Sequence, residues 1–164
     1  MTDLQRGIAP EPAAMRSAMG SFLTGVTVIT AMHDGEPAGL AANSFTSVSL
    51  DPPLVLFCAA RSSSSWPKID AAGRFCVNVL PDDGEATCRI FASPGDRFTQ
   101  VEWQPGVTGS PVLASALAYA DCEIEHRYDG GDHVIVVGRV VELGQREHGQ
   151  PLAFFRGGYG RFEQ

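Results

Sequence analysis

Apolar and polar positions along this chain alternate mostly with a period of two, and that period predicts strands. From 118 to 128 the alternation is nearly complete: Ala118, Ala120, Cys122, Ile124, His126 and Tyr128 fall on one face, and Tyr119, Asp121, Glu123, Glu125 and Arg127 on the other. Successive side chains of a strand point to opposite sides, so this segment reads as a strand with one wet face. Asp129, Gly130, Gly131 and Asp132 then turn the chain into HVIVVGRVVEL, apolar on both faces as far as Val137. That pattern predicts a central strand forming a hairpin with its predecessor, and Gly138 within it predicts close packing or a bulge. Residues 73–80 set Phe75, Val77 and Val79 against Arg74, Cys76 and Asn78, another strand. The run GVTVITAM at 25–32 predicts one more, and the turn chemistry of His33 to Pro37 folds it back on the stretch from Gly39 as an antiparallel hairpin.

The stretch 39–57, GLAANSFTSVSLDPPLVLF, departs from this regularity. Small residues (Gly39, Ala41, Ala42) let another surface approach the backbone, and Asn43, Ser44, Thr46, Ser47 and Ser49 stand between apolar neighbours. Asp51, Pro52 and Pro53 stop it by removing backbone donors and forcing extended conformations, and 54–60 reads as a buried strand. By residue type alone this is a polar edge strand, a turn and a core strand, with hydroxyls satisfying local backbone groups.

Helical spacing is confined to short pieces. Met15, Ala18, Met19 and Phe22 recur at helical intervals within 10–23, with Pro12 acceptable in a first turn. The run RSSSSWPKIDAAG at 61–73 reads as a helix start, with a serine capping orphan N–H groups or, alternatively, with the serines and Arg61 forming an anion site. A further short helix begins at Pro81 and Asp82 and runs through Cys88, Ile90 and Phe91 to end near Pro94 and Gly95. The Pro- and Gly-rich loop 93–113 is long for a compact domain, which marks a functional loop or one pinned by a partner chain. Residues 151–162 supply a short apolar strand and a glycine-rich tail, and 1–9 a loose lead-in.

At 164 residues with 44% hydrophobic content, 18 Gly and 11 Pro, the chain reads as one β-rich domain over 1–164. A net charge of -7 repels nucleic-acid backbones overall, although a local arginine can still hold one small phosphate. Cys58, Cys76, Cys88 and Cys122 form no CxxC pair, so free buried thiols are expected rather than zinc ligands or disulfides. No pair of histidines has metal spacing, His126 reads as structural, and no metal is expected. No apolar run approaches the ~20 residues that cross a bilayer, and a cytoplasmic protein without membrane contact is expected.

The strings GLAANSFTSVSLDPPLVLF, GVTVIT, GRFCVNVL, GDHVIVVGRV and FRGGYGRF, in this order across nearly the whole chain, resemble the flavin reductase-like family of small split-barrel proteins. The resemblance implies a mainly β fold, an antiparallel split β-barrel with flanking short helices, about six or more strands by the count of apolar runs. It implies that Ala41, Ala42, Asn43, Ser44, Phe45 and Thr46 lie along the isoalloxazine ring of FMN or FAD. The segment from Cys58 through Arg61, Ser62, Ser64, Ser65 and Trp66 then meets the ribityl chain and phosphate. Phe91 completes the implied contacts, with Arg97 and Phe98 approaching from the far side. Ala41 stands where some relatives carry threonine, so the main chain is left to make that contact.

His133 reads by itself as a strand-end residue bonded to a nearby carbonyl, whereas the resemblance implies a place beside the nicotinamide of NADH or NADPH. Arg156, Gly158 and Tyr159 either close over the dinucleotide or pack as a plain C-terminal turn. Flavin chemistry asks the protein for position, hydrogen bonds and dryness, so no triad or metal cluster is needed. The implied activity is NAD(P)H-dependent reduction of FMN or FAD, in a homodimer that supplies reduced flavin to a separate flavin-dependent oxygenase. The alternative is a flavin-binding electron carrier, or another split-barrel oxidase, without nicotinamide turnover.

Overall fold

The computed structural model describes residues 4–163. In chain order the elements are α1 (Pro12–Met19), β1 (Thr24–Gly25), β2 (Thr27–His33), β3 (Glu36–Ala42), β4 (Thr46–Leu50), β5 (Pro53–Ala60), α2 (Trp66–Ala72), β6 (Arg74–Val79), α3 (Glu85–Ala92), β7 (Trp103–Pro105), β8 (Pro111–Leu113), β9 (Ala118–Gly130), β10 (His133–Gln145), β11 (Leu152–Phe155) and β12 (Gly158–Arg161). Of the expected lead-in, residues 1–3 lie outside the described residues and 4–9 carry no helix or strand. None of the described helices is long and apolar enough to cross a membrane.

Seven strands form one antiparallel sheet in the order β3-β2-β6-β9-β10-β5-β4. Both expected hairpins are present: β2 pairs with β3 from Thr27↔Ala42 to His33↔Glu36, and β9 with β10 from His133↔Gly130 onward. The register of β9 and β10 shifts between Val137 and Gly138, and a Cβ on Gly138 would meet the Phe75 ring at 2.4 Å. Close packing and a bulge therefore coincide at that glycine. Inside the sheet, Phe57 packs edge-on against Phe75 at 4.9 Å, both fully buried. Burying each ring stabilises the fold by roughly 1.5–3 kcal/mol. A second core, containing Val28, Leu80, Phe91, Leu113 and Leu152, lies between the sheet, α3 and the C-terminal strands.

The stretch 39–57 is not one ribbon. Gly39 to Ala42 end β3, at one edge of the sheet, while Thr46 to Leu50 form β4, at the other, and 43–45 cross between them. The polar segment thus spans the split of the barrel.

The helical spacing expected over 10–23 is present as α1, and the apolar residues that carried it lie on the surface of the chain: Met15, Met19 and Phe22, the last just beyond α1, are 53%, 58% and 76% exposed. Two further expectations are corrected. Asp121, assigned to the wet face of β9, is fully buried, because the 106–110 loop folds over it. Thr108 gives its backbone N–H to one oxygen of that carboxylate at 2.8 Å and its hydroxyl to the other at 2.6 Å. His126, read as facing the apolar side, is exposed and stacks on Tyr128 at 5.6 Å.

The long loop is held by its own chain. It forms the β7–β8 hairpin, whose Leu113 N–H donates to Asn78 Oδ1 at 2.8 Å and whose Pro111 carbonyl accepts from Thr30 Oγ1 at 2.5 Å. The C-terminal residues pair as β11 and β12 beside β1 rather than trailing as a tail. All four cysteines are free, with Cys76, Cys88 and Cys122 buried and Cys58 half-buried.

Candidate functional site

The split in the barrel opens into a cavity of about 530 Å³. Its floor is Leu40, Ala41 and Ala42 at the end of β3, continued by Asn43 and Ser44 of the crossing. One wall is Cys58 and Ala60 of β5 with Ser62, Ser63, Ser64 and Ser65; the other is Phe91 and Ala92 of α3 with Ser93, Pro94 and Arg97. His133 stands at the rim. Gly39 admits the Phe91 ring, since a Cβ there would meet it at 2.7 Å.

Each wall is fixed by side chains acting in place of strand or helix bonds. The Ser44 hydroxyl donates to the Cys58 carbonyl at 3.1 Å and accepts the Cys58 N–H at 3.0 Å. It satisfies both backbone groups of a β5 residue that lies beyond the β4 ladder, and its single proton is committed there. Arg97 joins three segments: Nε donates to the Ser93 carbonyl at 2.9 Å, and Nη1 to the Gly39 carbonyl at 3.1 Å and to Ser65 Oγ at 2.8 Å.

The four serines take different places in this wall. Ser63 Oγ accepts the N–H groups of Ser65 and Trp66 at 3.2 and 3.3 Å, doing the capping for α2. Ser65 is buried against Arg97, while Ser62 and Ser64 are exposed and line the cavity.

His133 Nδ1 lies 2.7 Å from Asp132 Oδ1, which leaves Nε2 as the other ring nitrogen. That hydrogen bond, with the attraction of the ring, holds the Asp132 carboxyl below its usual range.

Of the residues singled out in the sequence, Ala41, Ala42, Asn43, Ser44, Cys58, Ser62, Ser64, Ser65, Phe91, Arg97 and His133 come together around this one space. The others stand elsewhere. Arg61 turns away, its guanidinium bonded to the Gly131 carbonyl and Asp129. Trp66 is buried in the core, edge-on to Phe57 at 6.3 Å. Phe45 packs on the same core, and Thr46 is exposed on β4. Phe98 sits behind Phe91 at 5.2 Å and lines an adjoining cavity of about 550 Å³ with Lys68 and Asp96.

Tyr159 lies behind the floor, its hydroxyl 3.3 Å from Cys88 Sγ and its ring under the Arg89 guanidinium at 5.2 Å. The hydrogen bond to Cys88, then burial, pushes its phenol up to about 12. Arg156 covers the Phe155 ring and lines a separate groove with Arg16, and Gly158 lies in β12. Leu40, Ala60, Ser63, Ala92, Ser93 and Pro94 were missed. Ala60 shares the β5 face of Cys58 by period two, so alternation could have found it.

A flat floor of small residues, closed at one end by serines and an arginine, suits a planar ring carrying a phosphorylated chain. Residues 19–163 match the family model described as the flavin reductase like domain. The chain is 45% identical over 152 residues to the reductase subunit HsaB of a flavin-dependent monooxygenase from Rhodococcus jostii, covering 92% of this chain and 78% of that one. It is 46% identical over 156 residues to a flavin reductase of Pseudomonas putida, covering 94% and 92%. Among solved structures, the NADH:FAD oxidoreductase SgcE6 of Streptomyces globisporus, in complex with NAD and FAD fragments, superposes with a TM-score of 0.91 at 38% identity, covering 97% of this chain and 98% of that one. The fold and the sequence agree, and the chain belongs to the flavin reductase-like family.

Proposed function

We infer that this chain is a flavin reductase that uses a reduced nicotinamide to reduce FMN or FAD and serves as the reductase component of a two-component monooxygenase. The observation that carries this reading is the gathering of residues 41–44, the serine loop, Phe91, Arg97 and His133 around one cavity. A flavin held by these residues would supply the redox chemistry and, once reduced, would be the product passed to the oxygenase.

The chain's own groups bind and orient. Backbone N–H groups near Ala42 and Asn43, with the Asn43 amide, are the candidates for holding the polar edge of the ring, because the Ser44 proton is committed to Cys58. Ser62, Ser64, Ser65 and Arg97 are the candidates for the phosphate end. His133 Nε2, with Nδ1 held by Asp132, faces the nicotinamide side and orients its carboxamide. FAD and NADH are the favoured pair, on the likeness to an NADH:FAD oxidoreductase. A homodimer would cover the exposed Met15, Met19 and Phe22 of the α1 region, which light scattering of the purified chain tests.

The test of activity is steady-state oxidation of NADH and NADPH with added FMN or FAD. A reductase consumes many equivalents of nicotinamide per protein; a flavin carrier stops once its bound flavin is reduced, and that result would overturn the proposal.

A further inference from the structure

His133 opens β10 at the tip of the β9–β10 hairpin, where Asp129, Gly130, Gly131 and Asp132 are all exposed. Gly131 has φ +74, and a glycine-containing tip of this kind has unusual backbone freedom to lose. The ladder also runs out here: His133 pairs with Ala60 on one side and Gly130 on the other, and neither pairing extends further toward the tip. The imidazole at the cavity rim therefore sits at the last ladder pair before a glycine-containing tip.

Arg61, the residue after Ala60, closes that end. Its N–H donates to the Asp132 carbonyl at 2.9 Å. Its guanidinium folds back over the tip, Nε donating to the Gly131 carbonyl at 2.9 Å and Nη2 to Asp129 Oδ1 at 2.5 Å. The side chain thus holds Gly131 and Asp129, while the backbone N–H, which a substitution at Arg61 leaves in place, holds the carbonyl of the Asp132 whose carboxylate bonds His133 Nδ1.

We propose that Arg61 is a positioning residue, holding the β9–β10 tip so that His133 stays at the nicotinamide side of the cavity. The inference rests on the reading of the chain as a flavin reductase with His133 facing the nicotinamide. Arg61 is half-exposed and Asp129 82% exposed, and exposed pairs contribute only about 0–1 kcal/mol to stability. The clamp accordingly has little to do with holding the fold. Its effect is geometric, since a ring displaced by about 1 Å from its working position can cost up to ~100-fold in rate. Because Arg61 does not line the cavity, flavin affinity is outside its reach.

The experiment compares the wild type, R61A, R61K and H133A, and the double variant R61A/H133A, by flavin titration and by stopped-flow reduction of bound flavin with NADH. R61A raises the nicotinamide KM and slows reduction about tenfold, leaving the flavin Kd within about twofold. R61K recovers part of the loss, keeping a cation for Asp129 without the fork that also reaches Gly131. In the H133A background R61A adds nothing, because the residues act through one another. Should R61A not fold, D129N carries the same test with a smaller effect of the same sign.

Three results would overturn the proposal: unchanged reduction in R61A, additive losses in the double variant, or weakened flavin binding with reduction intact. The last would make Arg61 the anion ligand that its sequence position suggests. A wild type that consumes neither NADH nor NADPH overturns the reductase reading and this inference together, whereas an active wild type with an indifferent R61A overturns this one alone.

Discussion

Two regions of this molecule are rich in polar side chains, and they use them in opposite ways. Under the β7–β8 hairpin, Thr30, Asn78, Ser110 and Asp121 are all fully buried, and each is hydrogen-bonded within the protein. Around the barrel split, Asn43, Ser62 and Ser64 are exposed toward a cavity, while Ser44, Ser63, Ser65 and Arg97 are taken up in fixing its walls. Polar density alone does not mark a site. The distinguishing property is whether donors and acceptors are already answered by the chain.

The sharpest way to break this contrast is D121A. It strands the N–H of Thr108 and removes one of the two side-chain partners of its hydroxyl, which keeps Ser110, and the expected cost is about 2–4 kcal/mol in urea denaturation, or roughly 5–12 °C in Tm. Flavin affinity should persist at temperatures where the variant is folded. The second probe strikes the other region: R97A releases Ser65, Gly39 and Ser93 at once, and flavin affinity measured by fluorescence titration should fall about tenfold or more. Its ligand-free Tm should fall less than that of D121A. If R97A melts as early as D121A and binds flavin normally, the two regions do not differ as described.

A milder probe uses the thiols. Burial, with Asp121 nearby, pushes Cys122 up to about 12 and Cys76 higher still, so neither should react with a disulfide reagent in the native protein. Cys58, half-buried in the cavity wall, should label first, and added flavin should slow it.

The smallest effect is a titration. Tyr159 keeps its proton in the fold more tightly than an unfolded tyrosine, whose pKa is ~10, so its contribution to stability is complete below that pH. That contribution is lost as pH rises toward about 12. Phenolate absorbance of wild type minus Y159F should show the late-ionising group.

Much of the fold was legible because strand alternation and turn chemistry are local. The hairpin from Thr27 to Ala42 and the one around Gly131 needed only a few neighbouring residues to be recognised. The wet face of β9 was misassigned at Asp121 because a loop more than ten residues earlier in the chain returns to cover it. That residues 41–44, the serines and Arg97 share one cavity was legible only through the resemblance, since residue type alone gave an edge strand and a helix cap. For Arg61 and Tyr159 the partners the fold provides, Gly131 with Asp129 and Cys88, are 68 to 71 positions away, set by register and packing rather than by spacing. The exposed stripe on α1 shows the converse, that periodicity predicts a helix without naming what covers it.

At Cys58 the edge of β5 is answered by the hydroxyl of Ser44, not by another strand. A hydroxyl thus stands in for a neighbouring strand, and exchanging Ser44 for a residue without one would leave a donor and an acceptor of the main chain unanswered beside the slot. The mouth of the barrel is therefore stitched by one oxygen atom, and its shape depends on that stitch.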